Sequence, residues 1–231
     1  MEPQKKLSSN YSKRIDEILD TSWLILKTRF IEGRYDITTE APFQHHFAHI
    51  ISTIGGAYCT KRSDIFIVDL EKKIDYIKGK TKYLDITCGF SRGGKESQAE
   101  AAIELKFKTS KQGAQDHGRI DAFVDIEALE LACNDHSFTR GRFYMITDSK
   151  TYLNESKKGV GTVFTTFDGA RTQANSLFHC PDSKGRENVK VNLKSSYSFK
   201  WEKIEKIKTD KKEEWYFLEL EIKKIDKIQR D

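Results

Sequence analysis

Apolar residues recur along this chain of 231 residues at two periods, and the switches between them mark an alternation of helices and strands. Over residues 11–30, Ile15, Ile18, Leu19, Leu24, Ile25 and Leu26 fall near helical spacing and Gly33 follows as a stop, which predicts a first helix. Thr38-Thr39-Glu40-Ala41-Pro42 reads as a second helix start, with a hydroxyl cap, an acid in the first turn and an early proline. That helix should run through residues 43–54, partly buried, and end at Gly55-Gly56. Three β-branched, apolar stretches come next, at residues 64–70, 82–87 and 101–108, with turn chemistry at Ser91-Arg92-Gly93-Gly94-Lys95. Residues 116–133 then carry Ile120, Phe123, Val124, Ile126, Leu129 and Leu131 among acids. This predicts an amphipathic helix with Asp121, Asp125 and Glu127 on its solvent face. Residues 142–147 form a fourth strand.

The pattern weakens beyond Ser149. Gly159-Val160-Gly161-Thr162 is expected to be a turn before a strand at 163–167, and no Lys-Ser or Lys-Thr follows to make it a phosphate loop. Residues 188–199 and 214–225 have strand composition, and the Lys-rich run 203–212, interleaved with acids, is expected to be a solvated link. The fold class that follows is α/β, a central mixed sheet flanked by helices with additional C-terminal strands. Its expected divisions are an N-terminal helical segment at 1–36, a core at 37–150, and a C-terminal extension at 151–231 that completes the sheet or forms a small subdomain.

Composition narrows this only modestly. A 37% apolar and 11% aromatic share supports a globular fold, and the 32% of charged residues implies a heavily solvated surface. The formal net charge of +5 permits nucleic-acid binding without requiring it. Cys59, Cys88, Cys133 and Cys180 are widely spread, with no close pair of the zinc-ribbon or redox kind, and are expected to be reduced thiols. No apolar run approaches the roughly 18 residues of a membrane span, and the polar amino terminus lacks a signal core. A cytoplasmic protein that does not engage a membrane is expected.

Chemistry enters at Ile103-Glu104-Leu105-Lys106-Phe107, where alternation puts Glu104 and Lys106 on one face of an apolar strand. The turn near Gly93-Gly94 lies midway between Asp85 and Glu104, so antiparallel pairing brings the two carboxylates nearly opposite each other, on the face of Lys106. Two hard oxygen ligands, with water and a substrate phosphate, form a typical Mg²⁺ site. Lys106 beside it could orient or deprotonate a water.

These residues resemble the PD-(D/E)xK nuclease superfamily, the restriction-endonuclease-like fold, over about residues 38–148. The resemblance implies a core of helix, three-stranded meander, helix and strand. It makes Asp85 and Glu104 the metal ligands and Lys106 the catalytic lysine, with Mg²⁺ as cofactor and Mn²⁺ able to substitute. Leu84 stands where the strict motif has proline, a position that varies in the superfamily. Many members also place an acid or a glutamine on the helix before the meander; Glu40 and Gln44, four apart, share a face there, with Glu40 preferred. The implied activity is endonucleolytic hydrolysis of phosphodiester bonds in double-stranded DNA. A type II restriction endonuclease is the expected kind, working as a homodimer on two-fold sites. A repair or structure-specific nuclease, or a binding module that has lost catalysis, are the alternatives.

Other residues compete for roles. His45, His46 and His49 offer a one-turn spacing that can ligate zinc, but no third ligand is identifiable, and structural or DNA-facing histidines are expected, with His45 a DNA contact. Asp64 opens a strand and is a rival ligand ranked behind Asp85. Lys108, Lys111 and Arg119 form the expected basic rim for phosphate contacts.

Overall fold

The computed structural model describes residues 6–75, 81–92, 96–208 and 211–224. Helices α1 (Tyr11–Ile31) and α2 (Glu40–Ala57) precede a meander of β1 (Asp64–Asp75), β2 (Thr81–Arg92) and β3 (Glu96–Lys108). Helix α3 (Gln115–Asp135) crosses back to β4 (Arg140–Thr147); a short α4 (Val160–Val163) and the pair β5 (Ser176–His179) and β6 (Lys190–Leu193) follow. The chain then forms β7 (Trp201–Lys208) and β8 (Lys211–Lys223). This is an α/β architecture built on a mixed six-stranded sheet ordered β1-β2-β3-β4-β8-β7, with β5 and β6 as a separate two-stranded sheet. Only β3 and β4 pair in parallel within the large sheet, which is why a helical crossover separates them.

Each sheet face carries its own core. Ile86, Ile103, Leu105, Phe107 and Tyr144 pack with α1 and α2, through Trp23, Phe43 and Phe47. Leu84, Ala102, Phe143, Met145 and Leu220 pack with α3, whose outer side is covered in turn by Phe164, Val191 and Phe199. Burial of this apolar surface at about 25 cal/mol per Å² is the main stabilising term for both layers.

Several expectations change. Residues 163–167 are not a strand: Val160–Val163 is a helical turn, and Gly161 packs so closely on Ser156 that a side chain there would meet its Oγ at 2.2 Å. Residues 203–208 and 211–212 of the expected solvated link are strand, because the alternation of Lys and Glu with Trp201 and Ile204 matches a half-exposed edge strand, and β7 pairs along β8; residues 209–210 lie outside the described residues. Gly55 and Gly56 lie inside α2 rather than ending it, Gly55 being pressed against the Phe66 ring. Strand residues in 188–199 are limited to β6. Gly93, Gly94 and Lys95 of the expected turn lie outside the described residues.

Candidate active site

β2 and β3 are antiparallel neighbours, paired from Arg92 and Glu96 down to Ile86 and Ile103. Beyond that point they part: β2 stays with β1 as far as Thr81, and β3 stays with β4 as far as Lys108. Asp85 and Glu104 are the first residues past the fork. The separation strips backbone donors of β3 of their strand partner, and carboxylates meet them. Asp85 Oδ2 accepts from Leu105 N–H at 2.6 Å, and Glu40 Oε2 lies 3.4 Å from Phe107 N–H. Opposite the fork, Glu71 takes φ 54°, and the alternation of β2 breaks there, so that Ile86 faces the α1–α2 core while Leu84 faces that of α3. Gln44 from α2 ties this distortion down, donating to the Asp85 carbonyl and to Glu71 Oε1, each at 2.7 Å.

Glu104 and Lys106 point from β3 toward α3, where Asp125 waits between them and β2. Lys106 Nζ lies 2.6 Å from Asp125 Oδ2 and 3.4 Å from Glu40 Oε1, and donates to the Leu105 carbonyl at 3.1 Å. Lys82 Nζ lies 2.7 Å from Asp125 Oδ1 and 3.4 Å from Glu104 Oε1. The result is a chain of alternating charge, Glu40, Lys106, Asp125, Lys82 and Glu104, with Asp85 at its edge. Glu104 and Asp125 are only 2% and 4% exposed; Asp125 is held by both ammonium groups, whereas Glu104 Oε1 is buried with no hydrogen bond among the described residues, the Lys82 ammonium 3.4 Å away being its ionic neighbour.

Four carboxylates share this pocket with two ammonium groups, and the protonation equilibria record the excess. Burial, followed by the charge of Asp125, holds Glu104 well above the usual carboxylate range, against the opposing pull of Lys82. Burial also raises Asp85 to about 6, with Lys106 and the Leu105 N–H opposing it and Asp125 and Glu40 adding to it. Asp125 goes the other way: despite its burial, Lys106 and Lys82 keep it below its ordinary value. Lys106 is pushed up, its desolvation outweighed by Asp125, Glu40 and Glu104.

Asp85, Glu104, Lys106, Glu40 and Gln44 are thus brought together, Glu40 against Lys106 and Gln44 against the backbone of β2. Sequence reasoning missed Lys82 and Asp125. Asp125 was expected on a solvent face, and it is buried, as is Glu127. Its signal was present: Ala122, Asp125 and Leu129 follow at spacings of three and four on a line of buried positions. The physical reason for the error is that β6 and its flanks cover the far side of α3, with Glu127 and Glu130 accepting N–H groups from Asn192, Lys194 and Ser195.

The expected basic rim is only partly at the surface. Lys108 is half-buried; Lys111 is exposed on the wall of an open cleft of about 670 Å³ floored by Phe30, Phe107 and Trp215. Arg119 is a correction: it is 1% exposed and its guanidinium donates to Thr166 Oγ1 and the Thr151 carbonyl, tying α3 to the C-terminal region. His45 is exposed beside Gln44, whereas His46 stacks on Tyr35 with ring centroids 4.0 Å apart. Asp64 is no ligand of this site; it accepts from Tyr11 Oη at 2.8 Å and pairs with Arg14 at 3.3 Å.

Among the described residues no three His, Cys, Asp or Glu side chains form a ready cage for a metal ion. The donor set nevertheless suits a hard divalent cation: Asp85 and Glu104 lie together at the fork, all nearby acid ligands are oxygens, and Glu104 Oε1 is a buried acceptor with no donor. Among the described residues no helix is long and apolar enough to cross a membrane. No family model, no curated protein and no solved structure matches the chain.

Proposed function

We propose that the chain is a Mg²⁺-dependent endonuclease of the PD-(D/E)xK kind that hydrolyses phosphodiester bonds in DNA. The observation that carries this is the fork between β2 and β3, which seats the Asp85 carboxylate on Leu105 N–H with Glu104 and Lys106 on the adjoining β3 positions. The order of helix, antiparallel meander, crossover helix and a strand parallel to the third supports the restriction-endonuclease-like core that the resemblance implies. Glu40 on the preceding helix adds the acid that many members of that superfamily carry.

Asp85 and Glu104 would hold the ion, Mn²⁺ serving in place of Mg²⁺. When bound, the ion would supply Lewis-acid stabilisation of charge growing on the phosphate. Lys106, held charged by Asp125 and Glu40, directs positive charge at the site, and an attacking water or a non-bridging phosphate oxygen would take the place of its long 3.4 Å contact with Glu40. Glu40, 39% exposed at the side chain, faces solvent on the far side of that ammonium and can accept a proton from water. Gln44 fixes the bend of β2 that aims Asp85. Lys108 ends the strand that carries Glu104 and Lys106, Lys111 is exposed on the loop after it, and His45 is exposed next to Gln44 on α2; these three are the proposed phosphate contacts.

A second reading, a DNA- or partner-binding module on the same fold without catalysis, draws on the 2.6 Å pairing of Lys106 with Asp125, which gives both groups a structural role. Incubation of supercoiled plasmid with Mg²⁺ separates the two. Cutting is expected from the wild type and reduced more than about a hundredfold in Lys106→Ala and in Asp85→Asn, the latter keeping an acceptor for Leu105 N–H. Discrete fragments support a type II restriction enzyme, which would act as a homodimer, and a preference for branched plasmid-derived substrates supports a repair nuclease. No cutting by the wild type with either Mg²⁺ or Mn²⁺ overturns the catalytic reading, and cutting that survives Lys106→Ala removes Lys106 from the mechanism.

A further inference from the structure

We propose that the ammonium of Lys82 is an internal counter-ion seated against the acids of the cation site, and that a divalent ion must displace it from Glu104 to load the site. The inference rests on the metal-dependent reading above and deepens it. Lys82 lies three residues before Asp85 on β2, where that strand has left β3, and its side chain crosses the gap to reach Asp125 at 2.7 Å and Glu104 Oε1 at 3.4 Å. It comes from the strand that carries one metal ligand and reaches the residue that is the other.

The two ammonium groups of the site are held differently. Lys106 is 11% exposed at the side chain and is fixed by the Leu105 carbonyl and Glu40 as well as by Asp125. Lys82 is 18% exposed and has fewer partners: it bonds Asp125 at 2.7 Å, while its 3.4 Å approach to Glu104 Oε1 is an ion pair outside hydrogen-bond geometry, which leaves that buried oxygen without a hydrogen bond. Glu104 therefore retains a buried oxygen that a compact, oxygen-seeking cation would satisfy better than this ammonium does. A lysine on its flexible four-carbon stem loses little on returning to water, so it is suited to leave. In the metal-free protein it neutralises acids that would otherwise repel one another across the fork. Asp125 then keeps Lys106 in place, and serves as a positioning residue for both states.

The measurement is Mn²⁺ binding to the full chain by isothermal titration calorimetry, with thermal unfolding of each variant as a check on folding. Lys82→Met, and Lys82→Gln as a second removal of the charge, are expected to bind Mn²⁺ more tightly by on the order of tenfold or more, from the loss of one competing unit charge at contact distance. Lys82→Arg keeps the charge and is expected to bind no more tightly than the wild type. Unchanged or weaker binding in both neutral variants, with the wild type binding Mn²⁺ and cutting plasmid, overturns the counter-ion role and leaves the nuclease reading standing. No Mn²⁺ binding by the wild type or any folded variant overturns that reading and the inference with it.

Discussion

Asp64 and Asp85 lie on the two strands of one hairpin, and their surroundings drive them in opposite directions. Both are desolvated, which alone would raise a carboxyl group. At Asp64 that effect is outweighed by donors: the Tyr11 hydroxyl, the Lys61 and Thr60 N–H groups and Arg14 together hold it below the usual range. At Asp85 the Leu105 N–H and Lys106 are too few to offset burial and the neighbouring acids, and the group stays near 6. A saturated carboxylate is part of the fold, whereas an undersatisfied one in a cluster of acids is suited to a ligand. Asp64→Asn should therefore cost stability by about 3 kcal/mol, because it leaves Arg14, 2% exposed, without its anion. The sign of its pH dependence is fixed by the lowered native value. The contribution is complete above the unfolded-state value of about 3.9 and is lost as pH falls through the native one. Urea midpoints of wild type and Asp64→Asn should differ at neutral pH and converge in strong acid; a constant gap would mean that the charge of Asp64 is not what stabilises this corner.

Helix α2 is placed by a contact that only glycine permits. A Cβ at Gly55 would lie 2.1 Å from the Phe66 ring of β1, so helix and strand approach through the missing side chain. Gly55→Ala should destabilise the protein by about 1–3 kcal/mol from overpacking. In a Phe66→Ala background the same change should become neutral or favourable by up to about 1 kcal/mol, since alanine is the better helix former. A double-mutant cycle by chemical denaturation reads this coupling, and additivity of the two changes would show that Gly55 is not the point of close approach. Elements of this kind also separate what was legible in the sequence from what was not. Strands β1 to β4 and helices α1 to α3 announced themselves because each carries apolar side chains at the period of its own backbone, and the juxtaposition of Asp85, Glu104 and Lys106 followed from strand parity and turn position. Strand β7 was hidden by its exposure, since Lys and Glu on an outer face carry the composition of a solvated link. Asp125 was hidden by the opposite circumstance. A helix buried on both sides has no solvent face, and its carboxylates at 125, 127 and 130 must be read as partners of specific donors rather than as a polar stripe. Lys82 carried no signal, because which lysine reaches an acid depends on how far two strands have parted.

At the scale of the whole molecule, the sheet order decides how independent the candidate nuclease core is. The residues that carry the site end with α3 and β4, yet β4 is not an edge: it pairs with β3 on one side and with β8 on the other, over eight register positions. Strand β8 brings Trp215 and Phe217 to the α1–α2 core and Leu218, Leu220 and Ile222 to the α3 core, so both faces of the sheet depend on it. The region between β4 and β7 adds Phe164, Val191 and Phe199 over α3 and fixes it through Glu130, which accepts from Lys194 N–H and Ser195 N–H at 2.7 Å each and from the Tyr197 hydroxyl at 2.8 Å. A chain ending at residue 150 would therefore expose the β4 edge and the apolar faces around Phe143 and Met145, both fully buried in the complete chain. It would also uncover the outer side of α3, where Phe123 packs against Phe164, Phe178 and Phe199 in the complete chain. Such a fragment should show no cooperative thermal transition by circular dichroism and should bind hydrophobic dyes or aggregate, while the full chain unfolds cooperatively. A cooperative transition in the fragment would mean that α1, α2 and the meander suffice to hold the fork between β2 and β3, and that β8 stabilises the sheet without defining the geometry of Asp85, Glu104 and Lys106.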